Sequence, residues 1–123
     1  ISTVTAANAR EFAEMGQRLM RAIAEMKPVS VAAVNGFCYG GALDLALACD
    51  HRVASPTATF AHPGVDLGIM TGWGGTQRLP RLIGEAAALE MFMTARPITA
   101  AEAAAIGLVE NIDEDVVTAA LSI

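Results

Sequence analysis

The stretch KPVSVAAVNGFCYGGALDLALACD, residues 27–50, decides the fold. Its continuous run of valine and other small apolar residues at 29–34 predicts a strand that is covered on both faces. Asn35-Gly36 ends this strand in a turn, and Gly40-Gly41 begins a run of strong helix formers at 42–49. A strand, a glycine turn and a helix in this order form a βα unit, so the sequence predicts a mixed α/β protein.

Hydrophobic periodicity extends this pattern to both sides. Apolar residues recur at three- and four-residue steps from Phe12 to Met26, which predicts an amphipathic helix within residues 5–26. Lys27 and Pro28 end that helix. Beyond residue 50, strands are predicted at 51–54 and 57–61, followed by a glycine-rich loop at 64–75 with helix resuming near Gly74. The later predicted elements are helices at 77–83, 85–94 and 100–106, a strand at 108–112 and a helix within 114–123.

Two local signals fix the boundaries of the later helices. Thr99 and Glu102 have the spacing of a capping box, so a helix is expected to begin directly after Thr99. Pro80 is tolerated in a helix only near the first turn, which predicts that the helix ending at Gly84 begins shortly before the proline.

Composition restricts the classes of function. The 123 residues fit one domain, and a hydrophobic fraction of 54% is enough for a sizeable core. A net charge of −5 with only eight Lys and Arg residues, unclustered along the chain, argues against a nucleic-acid partner. No apolar run approaches the ~18 residues of a membrane span, so no membrane partner is expected.

The first candidate site is the helix start after Gly40-Gly41. A helix that begins there leaves its first N–H groups unpaired, and its dipole favours negative charge, so the N–H of Gly41 is a candidate donor to an oxyanion. The alternative is that the glycines only turn the chain. Asp44 follows in the first helical turn, either as a general acid or base or as an ordinary acid that stabilises the helix dipole.

A second candidate lies at His62, Gly64 and Asp66. If this segment is extended, residues two apart share a face, and two titratable side chains flank a gap at the glycine. The alternative is that His62 ends a strand in solvent and Asp66 belongs to a turn.

The glycine-rich segment at 72–78 resembles a phosphate loop only superficially. It lacks both the Gly-Lys-Ser/Thr ending of a Walker A motif and the GxGxxG pattern of a dinucleotide turn. Gly72 and Trp73 are therefore predicted to line an apolar pocket. No Gly-x-Ser-x-Gly elbow exists, neither histidine has a partner at metal-ligand spacing, and neither a serine hydrolase nor a metal site is expected.

Several of these segments together resemble one family. The matching motifs are Lys27-Pro28-Val29, Ala32-Ala33-Val34-Asn35-Gly36, Gly40-Gly41, Leu45-Ala46, Cys49-Asp50, Pro63, Leu67-Gly68, Gly74-Gly75-Thr76-Gln77-Arg78-Leu79, Ile98-Thr99-Ala100 and Gly107-Leu108-Val109. In this order they are similar to the signature of the enoyl-CoA hydratase/isomerase, or crotonase, family. The resemblance implies an α/β fold built as a spiral of ββα units, of which residues 1–123 are the central to C-terminal part of a single domain.

The resemblance also assigns roles to site residues. It makes Gly41 one of two backbone donors that stabilise a thioester enolate, and Gly40, Gly64, Gly72 and Trp73 substrate-binding positions. Asp44 falls where the hydratases carry one of two catalytic glutamates.

Gly64 falls where the hydratases carry the second glutamate. Because this carboxylate is missing, His62 or Asp66 is a candidate substitute.

The function implied is chemistry on an acyl-CoA thioester, with 2-enoyl-CoA hydration in lipid or organic-acid metabolism as the favoured reaction. The alternatives are double-bond isomerisation, a ring-forming or hydrolytic reaction, and non-catalytic acyl-CoA binding. The resemblance further implies no cofactor beyond the CoA of the substrate, a homotrimer or dimer of trimers, and a cytoplasmic location. The first oxyanion donor and the oligomerising C-terminal helices are expected outside these residues.

Overall fold

Two small three-stranded sheets form the centre of the fold in the computed structural model, which describes residues 3–123. In the first sheet, β1 and β6 flank β3, and all three strands run parallel; in the second, β4 pairs parallel with β2 and antiparallel with β5. The strands are β1 (Val31–Val34), β2 (Phe37–Tyr39), β3 (His51–Ala54), β4 (Thr59–Ala61), β5 (Ile98–Thr99) and β6 (Asn111–Ile112).

The strands alternate between the sheets along the chain, because β1 and β3 enter the first sheet and β2 and β4 enter the second. A helix follows each of these strand pairs. The helices are α1 (Ala9–Ala24), α2 (Gly41–Ala48), α3 (Gly75–Ile83), α4 (Glu85–Thr94), α5 (Ala100–Ala105) and α6 (Val116–Leu121), with a short 3-10 helix at Val65–Leu67. The result is a repeated ββα unit.

The core lies between α2, the second sheet and the later helices. Leu43 of α2, Phe60 of β4, Leu79 of α3 and Leu108 are fully buried in one continuous cluster. Since α2 contributes both to this cluster and to the walls of the site below, core packing fixes the position of the site.

A buried arginine on the central strand of the first sheet contacts the end of α2 and the segment that leads into β6. Arg52 of β3 donates from Nη2 to Oε1 of Glu110 at 2.6 Å and from Nε to the carbonyl of Leu108 at 2.8 Å. Its Nη1 donates to the carbonyl of Cys49 at 2.9 Å. The guanidinium thereby satisfies carbonyl groups that have no strand partner.

Most predicted elements are confirmed, and two local predictions are wrong. The capping box is present, since Thr99 Oγ1 accepts from the N–H of Glu102 and the Glu102 carboxylate accepts from the N–H of Thr99. Pro80, however, is the sixth residue of α3, because the helix already begins at Gly75. The strand predicted at 108–112 forms only at Asn111–Ile112.

No helix within residues 3–123 combines the length and the apolar character needed to cross a membrane.

Candidate active site

The turn from β2 into α2 presents unpaired backbone donors. Gly40 has φ 55°, a conformation that favours glycine, and its N–H donates to the carbonyl of Ala61 on β4 at 3.0 Å. The first bond of the helical ladder runs from the N–H of Asp44 to the carbonyl of Gly40 at 2.9 Å. The N–H groups of residues 41–43 therefore precede the ladder, and that of Gly41, which is exposed and lines the cavity described below, remains available to a ligand.

Asp44 is the buried acid of this site, with 3% of its surface exposed. Its Oδ2 accepts a hydrogen bond from the hydroxyl of Thr71. The backbone of Gly75 lies so close to Oδ1 that a Cβ at that position would collide with the carboxylate. Two residues distant in sequence thus enclose the carboxylate, one with a donor and the other by having no side chain.

His62 lies directly behind Asp44. Its Nε2 is 3.4 Å from Asp44 Oδ1, the imidazole is 3% exposed, and its ring centroid is 5.0 Å from that of Phe92. Among the described residues, neither Nε2 nor Oδ1 has a hydrogen-bond partner. His62 is therefore buried, which contradicts the reading in which it ends a strand in solvent.

Burial shifts both groups of this pair toward their neutral forms. It raises the pKa of Asp44, while the Thr71 hydrogen bond and the charges of His62 and Arg78 oppose that rise. Burial lowers the pKa of His62, and the charge of Asp44 opposes that fall. An acid with a raised pKa in a cleft is a candidate for proton transfer.

A cavity of about 420 Å³ opens onto Asp44 and the start of α2. Asp44 is the one carboxylate among its lining residues, and most of the wall is apolar or glycine. The lining residues are Val4, Phe12, Ala13, Tyr39, Gly40, Gly41, Asp44, Pro63, Gly64, Leu67, Ile69, Met70, Thr71, Gly72 and Trp73. A mainly apolar pocket with one acid and backbone donors suits a small acyl group.

Trp73 closes one side of this cavity. Its indole packs on the backbone of Gly16 in α1 and of Gly41 in α2, where a Cβ on either glycine would overlap the ring. Phe12 packs against it with ring centroids 5.2 Å apart. The glycine at 41 is therefore needed for packing as well as for the approach of a ligand.

The segment around Gly64 is not extended as predicted. Gly64 has φ −58° and ψ −39° and leads into the 3-10 helix at Val65–Leu67. Its carbonyl accepts from the N–H groups of Leu67 and Ile69 at 3.0 and 2.9 Å. Because the chain turns here, His62 and Asp66 do not share a face, and Asp66 is exposed and absent from the cavity wall.

A second cleft of about 650 Å³ shares Thr71, Gly72 and Trp73 with the first. Arg21 of α1 and Arg78 and Arg81 of α3 lie around it. Packing of α1 against the segment before α3 thus brings three arginines to one cleft, although the basic residues are not clustered along the chain.

The sequence did not predict a role for Thr71, whose hydroxyl donates to the carboxylate of Asp44. A threonine inside a glycine-rich loop gives no signal of its contact with an acid 27 residues earlier. Among residues 3–123, no group of three His, Cys, Asp or Glu side chains is arranged to hold a metal ion.

Fold and site together define a class: an α/β protein of repeated ββα units, with free N–H groups at a helix start and one buried acid on the wall of an apolar cavity. The family model described as enoyl-CoA hydratase/isomerase matches residues 2–122. The chain belongs to this enoyl-CoA hydratase/isomerase, or crotonase, family and has part of the α/β crotonase fold.

Similar proteins include several hydratases. Over 112 residues the chain is 47% identical to the crotonyl-CoA hydratase of Syntrophomonas wolfei, covering 91% of this chain and 43% of that protein. It is 45% identical over 105 residues to the short-chain-enoyl-CoA hydratase of Clostridium acetobutylicum, covering 85% of this chain and 40% of that protein. The chain thus spans less than half the length of the curated relatives it matches.

Solved structures agree with this assignment. DspI of Pseudomonas aeruginosa has a TM-score of 0.93 at 39% identity, with 97% of this chain and 46% of that chain covered. The enoyl-CoA hydratase of Bacillus anthracis has a TM-score of 0.93 at 36% identity, with 98% of this chain and 48% of that chain covered.

Proposed function

We propose that the protein acts on short-chain acyl-CoA thioesters through an enolate and that its main reaction is addition of water to a 2-enoyl-CoA. The observation that carries this proposal is the position of the Asp44 carboxylate one helical turn from the free N–H of Gly41 on the same cavity wall. The names of the two similar hydratases support the choice of reaction and the short acyl chain.

The proposed role of Gly41 follows from charge development. When the oxygen of water bonds to Cβ of the enoyl group, the electrons of the double bond move to the thioester oxygen. A backbone N–H at a helix start stabilises the resulting enolate oxygen, and no reorganisation is needed because the donor is fixed in place. Gly40, Gly64, Gly72 and Trp73 are proposed as the walls that hold the acyl group.

The proposed role of Asp44 is to move the proton. The carboxylate takes one proton from the attacking water, and a proton then passes from the carboxyl group to Cα of the enolate, which completes the net addition of water. One carboxylate can serve both steps in sequence, although the usual hydratase pattern divides them between two acids. A raised pKa suits this use, because a group that must both accept and donate works best when its pKa is near the operating pH.

The test is a comparison of acids in the intact protein. Asp44→Asn is expected to lower kcat for crotonyl-CoA hydration by about 10²-fold or more, the range of a general acid or base. Asp66→Asn, which changes a neighbouring exposed acid, is the matched control and is expected to keep the activity of the parent. Equal rates for Asp44→Asn and the parent would exclude Asp44 from the reaction.

A second candidate reaction, isomerisation of an enoyl-CoA double bond, is favoured by the lone carboxylate. Moving a proton between two carbons requires one base, and Asp44 is the one acid on the cavity wall. Fast turnover of a 3-enoyl-CoA with little hydration of the 2-enoyl-CoA would support the isomerase. Tight binding of CoA thioesters without any turnover would instead support a non-catalytic acyl-CoA binder.

We further propose a homotrimer or dimer of trimers. Large apolar side chains stay exposed on several elements, among them Phe37, Leu67, Met70, Leu89 and Met93, and apolar area of this kind is typical of surfaces that pack against other parts of an assembly. Light scattering of the intact protein measures the subunit number.

Because acyl-CoA thioesters are intracellular metabolites, we also propose a cytoplasmic location.

A further inference from the structure

We propose that Asp44 and His62 work as one acid/base unit, in which His62 is a positioning residue that keeps Asp44 able to ionise in an apolar cavity. The proposal rests on the function proposed above for its kinetic consequences, but the pairing itself can be tested without substrate. In this arrangement one carboxylate faces the substrate with a buried histidine behind it, whereas the hydratase pattern has two carboxylates that face the substrate.

The geometry shows two facing polar atoms with no other partner. Asp44 Oδ1 and His62 Nε2 are 3.4 Å apart, both side chains are 3% exposed, and neither atom has a hydrogen-bond partner among the described residues. Two buried polar atoms left without partners destabilise a fold unless they interact with each other. The pair is therefore best explained by a proton held on the Nε2 side of the gap.

The position of His62 excludes direct contact with the substrate. It is absent from the residues that line the cavity, whereas Asp44 and Thr71 both line it. Asp44 thus stands between the imidazole and the cavity, with Oδ1 toward His62 and Oδ2 toward the Thr71 hydroxyl. His62 can act only through Asp44.

The surroundings of the pair leave few other charges to control it. Phe92 of α4 packs on the imidazole, so the side of His62 away from Asp44 is apolar. The charged groups that act on Asp44 are His62 and, from α3, Arg78, and the uncharged side chain that donates to it is Thr71. Burial is the largest influence on the pKa of Asp44, and removal of the imidazole takes away one of the contacts that oppose it, while the Thr71 hydrogen bond stays.

The imidazole of His62 affects whether the Asp44 carboxyl group can ionise in the cavity. With one acid in an apolar cavity, burial alone would keep Asp44 protonated and unable to accept a proton from water. An imidazole that carries its proton on Nε2, 3.4 Å away, points the positive end of an N–H dipole at Oδ1, which favours the ionised carboxylate and helps Asp44 to accept and then donate a proton.

The kinetic test measures kcat/KM for crotonyl-CoA against pH in the intact protein. His62→Leu removes the imidazole and is expected to move the acid limb of the profile, where Asp44 loses its proton, to higher pH by about one unit or more. His62→Gln keeps an amide donor without a titratable charge and is expected to give a limb between those of the parent and His62→Leu. His51→Gln, a change at a half-buried histidine of β3 that contacts Glu110 and lies outside the cavity wall, is the matched control.

The second test needs no turnover and separates this proposal from the proposed function. Infrared difference spectra recorded along a pH titration follow the carbonyl band of the protonated Asp44 carboxyl, which Asp44→Asn identifies by its loss. In His62→Gln, and in His62→Leu where it folds, the band is expected to persist to higher pH than in the parent. A band and an acid limb that titrate identically in the parent and in His62→Gln would overturn the proposal, even if kcat falls.

Discussion

The carbonyl oxygen of Ile69 lies 2.5 Å from the point where a Cβ on Gly64 would stand. The same residue closes the turn with its N–H, which donates to the carbonyl of Gly64 at 2.9 Å. Backbone therefore fills the position where the hydratase pattern expects a second carboxylate. The local backbone leaves no room for a side chain at position 64, so replacing the glycine alone does not restore the second acid.

Gly64→Ala is accordingly expected to destabilise the protein by about 1–3 kcal/mol, the cost of forcing extra volume into a packed site. Gly64→Glu is expected to destabilise it at least as much and to leave crotonyl-CoA hydration no faster than in the parent. Chemical denaturation and the hydration assay on the intact protein measure these effects.

Gly36→Ala is the matched control for this change. No atom lies within 4 Å of a Cβ at position 36, and the substitution is expected to be neutral or slightly stabilising. A stable Gly64→Glu variant with faster hydration would show that the turn can open to admit a second acid.

Trp73 is expected to limit the length of the acyl chain. Its indole fills the slot between Gly16 and Gly41, and Trp73→Ala would extend the cavity into that slot. The ratio of kcat/KM for an eight-carbon to a four-carbon 2-enoyl-CoA is expected to rise at least about tenfold, since apolar contacts discriminate chain lengths by this order.

Trp73→Phe keeps an aromatic ring and is expected to give a smaller rise in the same ratio. Trp73→Ala is also expected to lower the thermal midpoint, because a large ring leaves a void when it is removed. If both variants keep the ratio of the parent, Trp73 does not bound the acyl site.

The sequence predicted the parts of the fold that depend on local signals. Periodicity predicted α1, and the pairing of Thr99 with Glu102 marked the start of α5. It missed β2, because this strand has three residues and Phe37 at its start is 82% exposed, so no alternation is visible. The resumption of helix near Gly74 was predicted, and α3 begins at Gly75 without any capping side chain after a Gly74 with φ 113°.

The site was predictable only where a local pattern or the family resemblance supplied it. Gly41 and Asp44 lie within one helical turn, and their proximity follows from helix geometry. Thr71 contacts Asp44 and His62 faces it through tertiary packing, which spacing in sequence does not encode. Asp66 was a wrong choice for the same reason, because the turn at Gly64 carries it out of the cavity wall.

The pH dependence of stability is expected to report the burial of His62. Burial lowers its pKa in the folded protein below the unfolded value of 6.5. Between those two values the unfolded chain binds more protons, so the free energy of unfolding falls as pH drops through 6.5, by up to about 1.4 kcal/mol per pH unit. The raised pKa of Asp44 acts in the opposite sense, because the folded state gains a proton as pH falls through the folded pKa of Asp44.

The difference between the parent and His62→Gln measures the contribution of the coupled His62–Asp44 pair, and His51→Gln is expected to retain it. Denaturant titrations of the intact protein at a series of pH values measure the slope. Parallel curves for the parent and His62→Gln below pH 6.5 would contradict the burial of a neutral imidazole.

Arg52 is expected to be the most important charged side chain for stability. It is 4% exposed and donates to the carbonyls of Leu108 and Cys49 and to the carboxylate of Glu110. Arg52→Met keeps much of the apolar stem but leaves these acceptors without their donor, at an expected cost of about 2–4 kcal/mol. Arg52→Lys keeps a charged donor and is expected to lower the free energy of unfolding by roughly half as much. The three donors of an ammonium sit on one nitrogen, which cannot reach all three acceptors of the guanidinium.

Arg96 provides the matched control, since it also contacts two carboxylates, Glu90 at 3.5 Å and Glu102 at 2.9 Å, but is 51% exposed. Water and salt screen such a pair, so Arg96→Met is expected to leave the denaturation midpoint within error of the parent. Chemical denaturation of the intact protein followed by far-UV circular dichroism compares the three variants. Equal shifts for Arg52→Met and Arg96→Met would mean that the buried network around Arg52 adds nothing beyond an exposed ion pair.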